Sequence, residues 1–218
     1  MGQDYRIDRL HIVSYNGQRK KEIREVRCRY LAKSHLINCA ANGKRFDYVN
    51  FRGSHFKKVD FSNAVFYGCD FWGASFNKCN FRGAKIYDCV FMASKFSDCR
   101  FDNATLEYST VVNTSLLECH NIFLSKSVEV LAQYPHCECA PSLDAALEVL
   151  KGNINLRKNK LLHIPGNKVN MLNLYLLHKR FQADELSELL LRLNERSTKT
   201  ITTYKKLEMS LIAQKKMV

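Results

Sequence analysis

Every fifth residue from Phe46 is apolar: Phe46, Phe51, Phe56, Phe61, Phe66, Phe71, Phe76, Phe81, Ile86, Phe91, Phe96, Phe101, Leu106, Val111 and Leu116. Eleven of the thirteen phenylalanines fall in this one register, so composition alone does not produce it. Two residues before most centres the side chain is small, as at Ser54, Ala64, Cys69, Ala74, Cys79, Ala84, Cys89, Ser94 and Cys99, and the remaining positions are mostly polar or Gly. On an α-helix, at about 100° per residue, such a series drifts around the axis, and on a flat strand an odd step flips the side chain to the other face. The chain therefore has to turn within each repeat so that every centre reaches one shared interior. That is a solenoid, whose stacked coils bury together what one repeat cannot bury alone.

The pattern, with Ala64-Val65-Phe66-Tyr67-Gly68 and Cys79-Asn80-Phe81-Arg82-Gly83 as representative units, resembles the pentapeptide-repeat family, whose motif is approximately Ala-(Asp/Asn)-Leu-x-x with Phe common at the Leu position. The resemblance implies a right-handed quadrilateral β-helix with four pentads per coil, and hence a β + α protein. It divides into a basic N-terminal cap over residues 1–45, a solenoid of about four coils over 46–118, a connector over 119–141 and a basic helical domain over 142–218. Leu31 and Leu36 keep the register upstream and predict one irregular first coil, whereas Asn121 at the next centre predicts an end near Leu116. With coils about 4.8 Å apart the rod is only about 20 Å long, and its open sheet edges call for capping by the flanks.

Charge divides along the same lines. Lys plus Arg less Asp plus Glu gives +7 for residues 1–45, 0 for 46–120, −1 for 121–141 and +7 for 142–218, within the formal total of +13. Basic flanks suit an acidic protein, nucleic acid or an anionic membrane, and otherwise are solvated faces. No apolar run approaches the roughly 18 residues of a membrane span, and the N-terminus lacks the basic-then-apolar pattern of a signal peptide, so a cytoplasmic location is expected, with delivery into a host cell as an effector the alternative. Gly2 invites myristoylation, but Arg6 occupies the position where that motif needs Ser or Thr.

If four pentads close a coil, residues twenty apart stack. Trp72, Met92 and Val112 then share one face, Tyr67 and Tyr87 the adjoining one, and the five form a contiguous apolar and aromatic patch. Such a patch marks a partner-binding surface or is covered by the protein's own C-terminal helices.

The register also accounts for most of the nine cysteines. Cys39, Cys69, Cys79, Cys89, Cys99 and Cys119 all sit two residues before a centre, where reduced Cys behaves as a small hydrophobe. Cys119 and His120, with His136, Cys137 and Cys139, could close a zinc site, but the spacing is no zinc-knuckle pattern and ordinary loop residues are the simpler reading. No cofactor is expected.

Beyond the repeat, one short helix is predicted around Val128 to Gln133, then Leu143 to Leu150 with Ser142 as N-cap, a largely buried helix within Asn167 to Phe181, Glu185 to Asn194 capped by Asp184, and a basic amphipathic segment from Ser197 to Met217. This last helix packs at home, pairs with its symmetry mate to make a homodimer, or lies in a partner's groove. No phosphate-binding Gly-rich loop, nucleophile elbow or His-Glu-x-x-His motif is present. The reading is a non-enzymatic scaffold or adaptor for a protein partner, as in a secreted bacterial effector, with a nucleic-acid-binding or topoisomerase-modulating protein as the alternative. The neutral, short rod argues against DNA mimicry, which in the resembled family uses a long acidic one.

Overall fold

The computed structural model describes residues 9–14 and 19–216. Gly2 and Arg6, which bear on myristoylation, lie outside these. The chain divides into two compact units, Met1–Ala132 and Gln133–Val218.

The first unit is a four-sided solenoid of parallel strands. One face stacks His11–Val13, His35–Ile37, His55–Lys57, Ser75–Asn77 and Lys95–Ser97, and Lys95 bridges onward to Ser115. The second pairs Lys21–Glu22 with Cys39–Ala40, continues through Asp60 and Asn80, and ends with Cys99–Arg100 on Cys119–His120. The third stacks Val26–Arg27, Arg45–Asp47, Val65–Tyr67, Lys85–Tyr87 and Thr105–Glu107, with Leu106 bridged to Leu124. The fourth runs from Tyr30 through Asn50 and Asp70 to Val90–Met92, Thr110–Val112 and Glu129–Leu131.

Among the described residues each face thus has six levels, not about four, and the pairing runs past the 46–118 span at both ends. Irregular coil lengths conceal the extra levels. Ile12 pairs with Leu36 at a spacing of 24 and Lys21 with Cys39 at 18, whereas the regular coils advance by 20. Downstream, Asn121 becomes a left-handed corner (φ 57) rather than an end, Leu106 meets Leu124 eighteen residues on, and Glu129–Leu131, expected to be helical, is the last strand of the fourth face.

The interior is four columns of rings. Phe56, Phe76 and Phe96 stack with centroids 4.8 and 4.6 Å apart, and Phe51, Phe71 and Phe91 at 5.5 and 4.9 Å, all within 10° of parallel. Adjacent columns meet edge-on, as Phe51 with Phe56 and Phe61 with Phe66. Offset stacks and edge contacts are the two arrangements the ring quadrupole favours, each contributing about 0.5–1.5 kcal/mol beyond area burial.

The small position has a second role beside fitting the corner. Its hydroxyl or thiol receives a backbone N–H from the coil before it: Ser34 N–H donates to Ser54 Oγ (3.1 Å), Cys69 N–H to Cys89 Sγ (3.4 Å) and Cys89 N–H to Ser109 Oγ (3.0 Å). Just before the centres, Asn50, Asp60 and Asn80 accept the N–H two residues on, the local turn that Asx side chains make readily. Two residues after each centre from Phe46 to Val111 the chain turns through positive φ. Gly53, Gly68, Gly73 and Gly83 do so freely, while Tyr48, Lys58, Lys78 and Tyr108 do so at about 1–2 kcal/mol each. A methyl group at Gly83 would also collide with the Asn63 side chain.

The second unit is helical: α1 (Pro141–Leu150), α2 (Ile154–Lys158), α3 (Met171–His178), α4 (Ala183–Asn194) and α5 (Tyr204–Lys215), with a small hairpin of His163–Ile164 and Lys168–Val169 before α3. Leu143, Leu147, Leu150, Leu186, Leu190 and Leu193 are buried where α1 and α4 pack. Three helix starts differ from the expected ones. Ala140 precedes α1 with Pro141 in its first turn, and Ser142 Oγ instead bonds Asp184 Oδ1 at 2.6 Å. Asp184 lies inside the first turn of α4, where a carboxylate favours the helix dipole. Thr203, accepting from Lys206 N–H, starts α5 seven residues after Arg196. Asparagines tie the loops down: Asn170 caps α3 and donates to Lys160 O (2.8 Å), and Asn173 donates to Leu161 O (2.8 Å).

Phe76 sits between Phe56 and Phe96 and is 1% exposed. Phe76→Ala is expected to lower unfolding free energy by about 3–5 kcal/mol, and exposed Lys57→Ala to change it by no more than about 0.5 kcal/mol, measured by denaturant unfolding.

Candidate functional site

The sequence-predicted patch is assembled in part. Trp72 and Met92 occupy the same outward column of the fourth face, and Tyr67 and Tyr87 pair in register on the third. All four are half-buried. Val112 is not part of an exposed patch: stacked in register between Met92 and Leu131, it is fully buried.

Residues outside the predicted set enlarge the strip. The Arg52 guanidinium lies 3.6 Å from the Trp72 ring centroid, a cation–π stack between successive coils. Tyr48 is itself buried and supports the strip rather than adding surface: it meets Tyr67 edge-on at 5.3 Å, and burial followed by the neighbouring Tyr67 pushes its hydroxyl well above its ordinary range. Tyr108 is 66% exposed at the corner after Leu106. Both tyrosines take corner positions that otherwise hold mostly Gly, Asn, Asp or Lys, with Cys28 and Ala93 as the exceptions, and that substitution is the signal in the sequence that could have found them.

A second cluster lies on the polar side. His120 Nε2 is 2.9 Å from Asp98 Oδ1, and Lys78 Nζ is 4.0 Å from Asp98 Oδ2, along a depression of about 380 Å³ that Cys79, Asn80 and Arg100 also line. The pair orients an imidazole but offers no activated nucleophile, because burial holds the Cys79 thiol well above its usual pKa.

The residues of the conceivable zinc site do not assemble within either unit. Cys119 lies beside Cys99, and burial, then Cys99 and Glu118, push its thiol up to about 12. In the second unit Cys137 Sγ faces Met171 Sδ at 3.7 Å, and burial followed by Asp144 pushes Cys139 up to about 11. His136 is exposed on the same segment. Thiols that keep their protons are poor metal ligands, and among the described residues no group of three or more His, Cys, Asp or Glu is placed to hold a metal ion. Nor, among those residues, is any helix long and apolar enough to cross a membrane.

Cys39, Cys69, Cys79, Cys89 and Cys99 are buried, whereas Cys28, Cys119, Cys137 and Cys139 are partly exposed. A thiol reagent at mildly alkaline pH is therefore expected to modify at most those last four in native protein, and the first five only at the rate of unfolding. Rapid native labelling of all nine, read by mass spectrometry, would show the thiol columns to be open.

Residues 45–83 match the family model for pentapeptide repeats, in eight copies. No curated protein matches the sequence. Among solved structures the chain is similar to HetL, a pentapeptide repeat protein involved in heterocyst differentiation regulation from Nostoc sp. strain PCC 7120 (18% identity, 45% of this chain and 41% of that one, TM-score 0.23). It is also similar to a pentapeptide repeat protein of the Arabidopsis thaliana thylakoid lumen (17%, 43% and 65%, TM-score 0.24) and to QnrB1, a plasmid-mediated fluoroquinolone resistance protein (17%, 56% and 90%, TM-score 0.21). The first two similarities span less than two thirds of those chains.

Proposed function

Because this chain carries pentapeptide repeats wound into a solenoid, we propose that it is a non-catalytic scaffold that presents the solenoid's outer surface to a protein partner. The inside of the rod supports this reading, since the centres from Phe46 to Val111 are at most 8% exposed and the interior is given over to packing. Recognition then belongs to the outside. The observation that carries the proposal is the Arg52–Trp72 stack beside the Tyr67–Tyr87 column. Trp, Tyr and Arg are the residue types most enriched among interface hot spots, and here they are held on rigid stacked strands, so little entropy is lost on docking.

With a partner recovered by pull-down, Trp72→Ala and Tyr87→Ala are each expected to weaken association at least about tenfold, with Lys57→Ala as the unchanged control. An affinity indifferent to Trp72→Ala overturns the assignment of this strip. Sedimentation of the same variants separates a heterologous partner from a second copy of this chain.

One observation favours nucleic acid as the alternative. Arg9, Arg27 and Arg29, with Glu25 as the one acid, line an open cavity of about 570 Å³ on the first coils. Three phosphate contacts would give a slope of about −2.7 for log K against log salt, measurable by gel shift between low and moderate salt. No shift at low salt removes this reading.

A further inference from the structure

The second unit contains a small basic cavity that neither the solenoid nor its aromatic strip explains. It lies where the loop after α2 enters the hairpin, has a volume of about 180 Å³, and is lined by Arg157, Lys160, His163 and the turn Ile164 to Asn167. That volume is below the roughly 300–1,000 Å³ of pockets that hold drug-sized ligands, so a single small group fits and a nucleoside does not.

Three observations point to the charge of that group. Arg157 and Lys160 bring two cations to the rim, and no carboxylate is among the lining residues. The one acid acting on the His163 ring, Glu148 of α1, is already paired with Lys151. His163 is 4% exposed and neither of its ring nitrogens has a hydrogen-bond partner, an arrangement that costs free energy unless something compensates it. The charged groups acting on this ring are Lys151, which caps the end of α1, and Arg157 from α2, both positive, against Glu148 alone. Burial first, and then those two cations, push its pKa down.

We propose that this cavity binds a small phosphate-class oxyanion, with Arg157 and Lys160 as its charged partners and the His163 ring beneath it. An arginine fork and a lysine point charge together are a common phosphate-binding combination. An anion seated there offsets the positive field on His163, so binding and protonation of the ring favour each other. In the empty site the sign runs the other way. With its folded pKa depressed, His163 contributes stability that is full above the usual histidine pKa of about 6.5 and is lost as pH falls below it. Free phosphate and the phosphoryl group of a modified side chain present the same chemistry to the cavity.

The test uses full-length protein and follows the His163 ring by NMR while inorganic phosphate, phosphoserine, or sulfate is added at constant ionic strength, with chloride as control. Sulfate keeps its charge across the histidine range, so any pH dependence belongs to the protein. Expected are a saturable shift of the His163 resonances, a rise in the ring's titration midpoint with anion bound, and tighter sulfate binding at pH 6 than at pH 7.5. Arg157→Ala with Lys160→Ala should weaken binding at least tenfold, Arg157→Lys less, and His163→Gln should retain binding but lose its pH dependence. Preference for phosphoserine over inorganic phosphate would identify a modified protein as the source, and the reverse a free anion. Shifts that chloride reproduces, or binding unchanged in the double variant, overturn the proposal. Far-ultraviolet circular dichroism confirms that each variant is folded.

Discussion

The contact on which the solenoid depends is that of a phenylalanine ring with the ring twenty residues further along. Parallel strands set neighbouring coils about 4.8 Å apart, and parallel, offset rings on successive coils stack with their centroids about that far apart. The observed centroid separations of the Phe56, Phe76 and Phe96 column, 4.8 and 4.6 Å, show the backbone ladder and the ring stack satisfying one spacing. Neither could be moved without the other. This agreement lets corner residues such as Tyr48, Lys58 and Lys78 remain at positive φ, because the surrounding ladders determine their conformation.

A consequence is the separation of stability from recognition. Inward positions are consumed by ring packing and by the thiol and hydroxyl rungs that receive N–H groups from the coil before. Outward positions carry no such duty, so the same scaffold can display lysines on one face and a stacked Arg52–Trp72 pair on another. The buried cysteines belong to the first category. Burial holds the Cys79 and Cys89 thiols well above their usual pKa, and among the described residues no group of three or more His, Cys, Asp or Glu is placed to hold a metal ion.

The helical unit is organised differently. Leucines supply its core, but asparagines define its loops: Asn153 and Asn170 begin helices, and Asn170 and Asn173 hold the backbone at Lys160 and Leu161. These bonds fix the loop that carries Lys160 and His163 and so bring both to the same small cavity. The histidine is left without a partner in a unit whose other loops are closely bonded.

The regular part of the solenoid was legible from residue spacing because each ring reports its own position modulo five, and four such steps close a coil. The stacking of Tyr67 on Tyr87 and of Trp72 beside Met92 followed from that arithmetic. The ends were not legible, since coils of 24 and 18 residues break the count and only hydrogen bonding between strands restores it. Nor could spacing reveal that Val112 is covered while Tyr108 is exposed, because burial depends on what lies beside a residue in space. The His163 cavity falls in a stretch of sequence with no period at all. By itself, then, the sequence determined which side chains face inward in the repeat and what stacks on what, because both are consequences of a constant local step. Tertiary structure decided where the coils begin and end, which outward residues remain accessible and which basic residues meet, because those depend on contacts between segments that share no register.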